Sequence, residues 1–481
     1  MKNNTLINLE KETVNSIIRE KNIYKSLELS KILGSIKQNR NNGNYDLIDL
    51  EKELISRLKS LLFPESIKVA KLKGSRDILH VITQYRSSGG HSRLCDRLGS
   101  FDEGGSDLFI CQSSEKYKSN NSKMHTDFSF NRVLYSSNEY GSLAYFYEVM
   151  KIFGEYKIIV LHIDPNDINT VALLGVLKSI CNVIIYFVNH SDHTFCYGES
   201  IIDVKLEISY RGYLLNKLRG GIYQSSYIGL PLKTDSLNSN RYNSITGCTN
   251  FVMAGAPWKI KPFKGQKVNG IIETILKYSS ENTVTIIGPN LRTNYWLWVL
   301  KAKYIRRLRI YSRLDYEEYL KLLEDSEVAV DTHPVPGGFA LVEMFISGLI
   351  PCGIRTGIVG FSATDAVKVS ETDDIFKTTV TQELKELTHQ LHSYDSVKER
   401  YILSLGATYS EIPRELIITG KPDLDFFREK GKAKLNIYDL DMIRTTSKQS
   451  RKNLIKSYLR NIDILSAPYV ILKQLIKSRN K

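Results

Sequence analysis

The chain contains no run of roughly eighteen consecutive apolar residues, so no transmembrane helix is expected. Its first residues, MKNNTLINLEKETV, lack the apolar centre of a secretory signal, which points to the cytoplasm. The six cysteines (Cys95, Cys111, Cys181, Cys196, Cys248 and Cys352) show no CxxC spacing. That argues against a zinc site and a disulfide framework, and for reduced thiols. No segment repeats with a period of about 20 to 50 residues, which leaves a solenoid unsupported. Nor does any RNA-binding motif with stacked aromatics appear, so a nucleic-acid partner is not expected.

What the chain does have is a 42% hydrophobic and 25% charged composition, that of a globular protein with a core. At 481 residues it is too long for one ordinary core, so two large domains with extensions are expected. The net charge of +14 is concentrated at one end. Lys430 to Lys481 holds thirteen Lys or Arg against three acidic residues. Such a tail can attract anionic lipid or another polyanion, but it is equally a solvated helical surface and names no partner.

Residues 1–70 read as a polar helical extension, with Leu47, Ile48, Leu50, Leu54, Ile55, Leu58 and Leu61 at helical spacing. From about Ser75 the texture becomes α/β. Strands are expected at Ile78–Ile82, Leu108–Cys111, Lys157–His162 and Val183–Val188 in a first unit covering 75–235. After a polar linker at about 232–247 a second unit, 248–410, carries Phe251–Ala254, Val284–Gly288, Arg309–Tyr311, Val328–Asp331 and Ile350–Ile354. Strands alternating with helices imply parallel sheets covered on both faces, here two Rossmann-like units in tandem. A basic, mainly helical segment, 411–481, ends the chain. Ligands of such sheets bind at the carboxyl ends of the strands.

Four strand ends carry polar residues that suit chemistry. The run DTHPVPGGFALVEMFISG, Asp331 to Gly348, reads as a strand, a Pro/Gly loop and a helix. It sets free N–H groups and a positive helix end where an anion can sit, with Gly337 and Gly338 as the phosphate turn. Glu343, one and a half turns into that helix, could reach a sugar hydroxyl beyond the phosphates. Lys259, in WKIKP, could neutralise a departing diphosphate, and Arg292, in GPNLR, is a possible second cation. In the first unit the turn RSSGGHSR pairs Gly89 and Gly90, for close backbone approach, with His91 at the next helix start. The segment NHSDH adds His190, Asp192 and His193 at another strand end. Its spacing suits a general base or an acceptor-binding cluster better than a metal. The tripeptides Asp423-Leu-Asp425 and Asp439-Leu-Asp441 follow no clear buried strand and read as chance.

With these residues in view the chain resembles a glycosyltransferase of the GT-B fold, and its second unit resembles bacterial relatives of the O-GlcNAc-transferase-like group. The resemblance covers roughly 75–410, though its sharp motifs occupy only short windows. In that group a lysine of a WKIKP-like segment binds phosphate, which falls on Lys259. An acidic residue five before the helix-terminal glycine binds the ribose, which falls on Glu343 before Gly348. The His and paired Thr that hold phosphates there are replaced here by Gly338, Phe339 and Ala340. Position 335 is Val, so the Glu-x7-Glu pair of many retaining enzymes is incomplete.

The resemblance implies a nucleoside-diphosphate sugar as substrate, UDP-linked by expectation, with no cofactor and no metal. It also implies an inverting transfer to a hydroxyl, with His91, His190 or Asp192 as candidate catalytic base and Gly89, Gly90 and His193 on the acceptor side. A saccharide or lipid-linked saccharide of a bacterial surface polysaccharide is the expected acceptor, met at the inner face of a membrane with the basic tail assisting. A nucleotide-sugar 2-epimerase of the same fold would use the same donor without an acceptor. A non-catalytic membrane- or nucleic-acid-binding protein with a degenerate fold is the third possibility.

Overall fold

The computed structural model describes residues 5–39, 41–63, 76–86, 90–112, 129–234, 237, 243–418 and 421–426. The basic segment from Lys430 onward and the turn residue Gly89 lie outside these residues. Three helices open the chain: α1 (Thr5–Arg19), α2 (Ile23–Asn39) and α3 (Ile48–Leu62). Leu50, Leu54 and Leu58, one face of α3, share a core cluster with Val171 and Leu174 of the helix Ile168–Lys178. Gly175 lets the two helices touch, since a Cβ there would stand 2.3 Å from the Ile55 side chain. That central helix is almost wholly buried, so it is apolar all round rather than on one stripe.

The first sheet has seven parallel strands: β1 (Arg76–Ile82), β2 (Asp107–Ile110), β3 (Arg132–Tyr135), β4 (Tyr156–His162), β5 (Ile184–Val188), β6 (Val204–Glu207) and β7 (Gln224–Tyr227). They lie in the order β3-β2-β1-β4-β5-β6-β7. The second sheet has five: β8 (Asn250–Ala254), β9 (Thr283–Ile287), β10 (Leu308–Tyr311), β11 (Val328–Val330) and β12 (Ile350–Cys352). Their order is β10-β9-β8-β11-β12, again all parallel. Both sheets are therefore doubly wound. The strand order reverses between β1 and β4 in one and between β8 and β11 in the other, and these reversals are where loops diverge and ligands enter.

Three strands are not apparent from the sequence. β3 and β7 are four-residue sheet edges, and QSSY has no apolar run. β6 reads VKLE, yet Lys205 and Glu207 are fully buried because each has a partner inside. Lys205 pairs with Glu199, and Glu207 accepts from Asn189 and Asn216. β11 stops at Val330 and β12 at Cys352, shorter than their apolar runs suggest.

The helix Tyr394–Leu405 follows the second sheet in sequence but packs on the first. Its Val397 and Tyr401 join Val160, Tyr186 and Val204 in one cluster. Among the described residues no helix is long and apolar enough to cross a membrane.

Candidate functional site

At the first reversal, β1 and β4 run side by side with Ile82 opposite His162. Each of these two strands carries one fully buried histidine, His80 and His162. His80 Nδ1 lies 2.9 Å from His162 Nε2, and His80 Nε2 lies 2.8 Å from Asp102 Oδ2. Asp102 follows α4 (Gly90–Gly99) and accepts a hydrogen bond from the Tyr401 hydroxyl at 3.1 Å. On its other side His162 Nδ1 lies 2.9 Å from His190 Nε2. A continuous string thus runs from buried Asp102 through His80 and His162 to His190, which is only half-buried after β5.

His91, in the first turn of α4, packs its ring 3.9 Å from that of His190. Its Nε2 donates to the His162 carbonyl oxygen at 2.7 Å. Burial pulls the His91 pKa down to about 4, the carbonyl bond opposing this and Arg86 adding to it. Burial likewise holds His162 and His190 well below the ordinary range, with neighbouring histidines adding to the effect. All three rings are therefore neutral near pH 7.

Asp192 stands elsewhere. It is buried, accepts from the Ser209 hydroxyl, and lies 3.3 Å from His193 Nδ1. Burial works to raise its pKa, but His193, Arg211 and Ser209 together outweigh that and lower it. An enclosed carboxylate held below its usual range is a weak base. His193 stacks on Trp258 of the second unit, with ring centroids 5.4 Å apart and planes inclined by 20°. The loops after β5 and β8 therefore meet across the cleft.

At the second reversal, Asp331 organises the glycine loop. Its Oδ1 accepts from the N–H of Thr332 at 2.8 Å and of Gly337 at 2.6 Å. Its Oδ2 pairs with buried Lys368 at 2.7 Å. The Gly337 amide is thus turned inward, not outward toward an anion. Gly338 takes φ +63° and starts the helix Phe339–Ile346. Lys259 donates to the carbonyls of Pro336 (3.0 Å) and Gly337 (2.9 Å), while Val335 N–H donates to the Lys259 carbonyl. Burial lowers the Lys259 pKa, Asp331 and Asp192 resist, and Lys368 adds to the lowering. Arg292 is exposed on the loop after β9.

Glu343 faces the first unit. Arg93 of α4 binds it through Nη1–Oε1 at 2.7 Å and Nη2–Oε2 at 3.3 Å, and Arg97 Nη2 lies 3.6 Å from Oε1. A Cβ on Gly90 would stand 3.8 Å from the Phe339 ring, so the starts of α4 and of the Glu343 helix abut. Position 90 thus serves the contact between units.

Cys95, His80 and His162 set their donor atoms within 4.8 Å of one another, all buried. The two rings spend their facing nitrogens on each other. Burial, with Asp96 and Asp102, pushes the Cys95 thiol well above its ordinary range, the reverse of what a thiolate ligand requires. This donor set suits a hydrogen-bonded string better than a metal ion. His80, Asp102, His162, Tyr401 and the pairing of Arg93 are not marked out by local sequence pattern. The available signal is a histidine inside one apolar strand run (ILHVI) and another ending a second (KIIVLH).

No protein-family model matches the chain, and no curated protein does. Among solved structures the fold is similar to that of Anabaena HepE in complex with UDP and glucose. The TM-score is 0.50 at 11% identity, over 68% of this chain and 99% of that one. Weaker likenesses are to Thermobaculum terrenum O-GlcNAc transferase (TM-score 0.43, 10% identity, 82% and 75% covered) and Rickettsia bellii UDP-N-acetylglucosamine 2-epimerase (0.42, 12%, 69% and 96%). At such identities the likeness is one of fold. Two parallel, doubly wound sheets in tandem are the GT-B architecture expected from the sequence.

Proposed function

We propose that the protein is a glycosyltransferase moving a sugar from a UDP-linked donor to a hydroxyl of a saccharide or lipid-linked saccharide, with inversion and without a metal ion. The donor binds on the second unit, 248–410, and the acceptor on the first, 75–235. The observation that carries this reading is the contact of His193 on Trp258. It sets the histidine-bearing loop of the first unit beside the lysine-bearing loop of the second, at the carboxyl ends of both sheets. A base and a cation facing one another across a cleft are what an in-line displacement of a diphosphate needs.

In this reading Lys259 leaves the carbonyls of Pro336 and Gly337 for the phosphates, and Gly338 with the helix start after it supplies amides. Glu343 exchanges Arg93 for the ribose hydroxyls, and Arg292 is a further cation at the rim. A histidine of the first unit takes the acceptor proton. HepE was solved with UDP and glucose, which agrees with a UDP-sugar donor here. The acceptor belongs to a bacterial surface polysaccharide or glycoconjugate, and the basic C-terminal segment works at the inner membrane face.

The test is a thermal-shift screen of UDP-, GDP-, CDP- and ADP-sugars with and without EDTA. A ligand bound only by the native state raises the midpoint. Wild type, Glu343→Ala and Arg93→Ala are compared, because Glu343→Ala alone also removes a cross-unit ion pair. Stabilisation by UDP-sugars that EDTA leaves intact, and that fails in Glu343→Ala but not in Arg93→Ala, is expected. No shift with any nucleotide sugar would sink the reading.

A further inference from the structure

We propose that Asp102, His80 and His162 form a proton relay that makes His190 the catalytic base. The inference rests on the transferase reading above and deepens it, by selecting one base among the candidates and adding three positioning residues buried behind it.

The polarity of the string follows from its buried end. A carboxylate only accepts, so His80 Nε2, 2.8 Å from Asp102 Oδ2, carries a proton. With a single proton on the His80 ring, held at Nε2 by the carboxylate, the other nitrogen, Nδ1, is an acceptor, and at 2.9 Å it takes the proton on His162 Nε2. By the same rule His162 Nδ1 accepts from His190 Nε2 at 2.9 Å. His190 Nδ1 is left as a lone-pair acceptor, with no hydrogen-bond partner among the described residues. One carboxylate thereby sets the tautomer of three rings, and the Tyr401 hydroxyl completes the carboxylate from the helix Tyr394–Leu405. The rival candidates lack this arrangement. His91 donates its Nε2–H to a main-chain carbonyl, which cannot pass the proton on, and Asp192 is enclosed by Ser209 and His193.

The string also solves a solvation problem. An imidazolium left on His190 or His162 would be a charge held among other histidine rings, which burial disfavours at both positions. In the relay the acceptor O–H bond breaks as His190 Nδ1–H forms. The His190 Nε2 proton moves to His162 Nδ1, and the His162 Nε2 proton moves to His80 Nδ1. The acceptor oxygen bonds to the sugar carbon as the bond to the diphosphate breaks, and UDP leaves with the electron pair. The positive charge comes to rest on His80, against the carboxylate of Asp102. When product departs, the three transfers reverse and the proton leaves from His190 Nδ1.

The test uses full-length protein with 15N-labelled histidine, nine residues in all. Two-bond and three-bond ring correlations identify tautomers without any need for turnover. Wild type is expected to show His80, His162 and His190 protonated at Nε2 only. Asp102→Asn, which can donate an N–H to His80 Nε2, is expected to reverse all three to Nδ1–H. His190→Gln, at the accessible end, leaves the buried carboxylate in place. Both variants are expected to keep UDP affinity, measured calorimetrically, while UDP release from UDP-glucose falls about 10²-fold or more. Tautomers of His162 and His190 unchanged in Asp102→Asn would overturn the relay. So would a stoichiometric metal bound between His80 and His162 in wild type. A wild type that binds no UDP but shows the coupled tautomers overturns the transferase reading instead, and leaves the string as a tautomer relay.

Discussion

Arg93 grips Glu343 with two hydrogen bonds across the cleft, so the acid expected to meet the donor ribose is held by the opposite unit in this structure. The pair is only partly shielded, with Arg93 35% and Glu343 19% exposed, so its contribution to stability is at most about 1 kcal/mol. On the proposed reading donor and arginine compete for the same carboxylate, so the pair should matter more for binding than for stability.

Arg93→Ala is therefore expected to tighten UDP binding several-fold, up to about fivefold for about 1 kcal/mol, with little change in Tm. Glu343→Ala weakens binding. Titration calorimetry of both variants with UDP checks the signs. Weakening of equal size in the two would mean that the pair builds the site together and does not compete with ligand.

Lys259→Met is expected to lower UDP release from UDP-glucose by about 10² to 10³-fold, the loss typical when one stabilising group is removed from a developing negative charge. Because the Lys259 pKa is lowered, its charge is lost at lower pH than that of an ordinary lysine. Donor affinity should accordingly decline on the alkaline side in wild type and be flat there in Lys259→Met. Isothermal titrations at rising pH measure this.

Tyr401→Phe removes one donor to Asp102 while keeping the aromatic packing. The cost expected is about 1.5 to 3 kcal/mol, that of a hydrogen bond to a charged acceptor, read as a lower urea midpoint. Turnover should fall less than in Asp102→Asn, since His80 keeps its carboxylate.

Glu51 gives a pH signature unrelated to the cleft. Burial raises its pKa from 4.5 to about 7, although it accepts the N–H groups of Gly198 and Ser200. A raised folded-state pKa contributes stability that is fully present below about 4.5 and lost as pH rises through about 7. In Glu51→Gln the profile of Tm against pH should be flatter over that window. Identical slopes in the two proteins would refute the assignment.

Gly288, the residue after β9, takes φ +122°, and a Cβ there would fall 1.9 Å from the Gly255 carbonyl oxygen. Gly288→Ala is expected to destabilise by more than the usual one to three kcal/mol of a strained backbone site, roughly, because the clash is with main chain. Loss of soluble, cooperatively unfolding protein on expression is the measurement.

Much of the fold is legible in the chain. Strands such as IIYFV and NFVMA announce themselves because a parallel strand covered on both faces usually reads as a near-continuous apolar run. The Asp331–Gly348 loop and helix are equally plain, since glycines and a following apolar helix mark a strand end. β6 is hidden because Lys205 and Glu207 find their partners in Glu199, Asn189 and Asn216, residues away from their own strand. Of the candidate residues, His190 and His91 are picked out by position alone. The inward turn of the Gly337 amide is not visible, because it depends on which way the Asp331 carboxylate points.

The sequence by itself determined the alternation of strands and helices, the two units, and the polar residues placed at strand ends. These follow from local patterning, periods of two and 3.6 residues and glycine turns, which neighbouring residues set. Only the tertiary structure decided that Asp102, His80, His162 and His190 form one string and that Tyr401, 321 positions from His80, closes its end. It alone set Arg93 against Glu343. Such contacts depend on which strands lie adjacent and how far α4 leans across the cleft, and parallel pairing brings together residues that share no local signal.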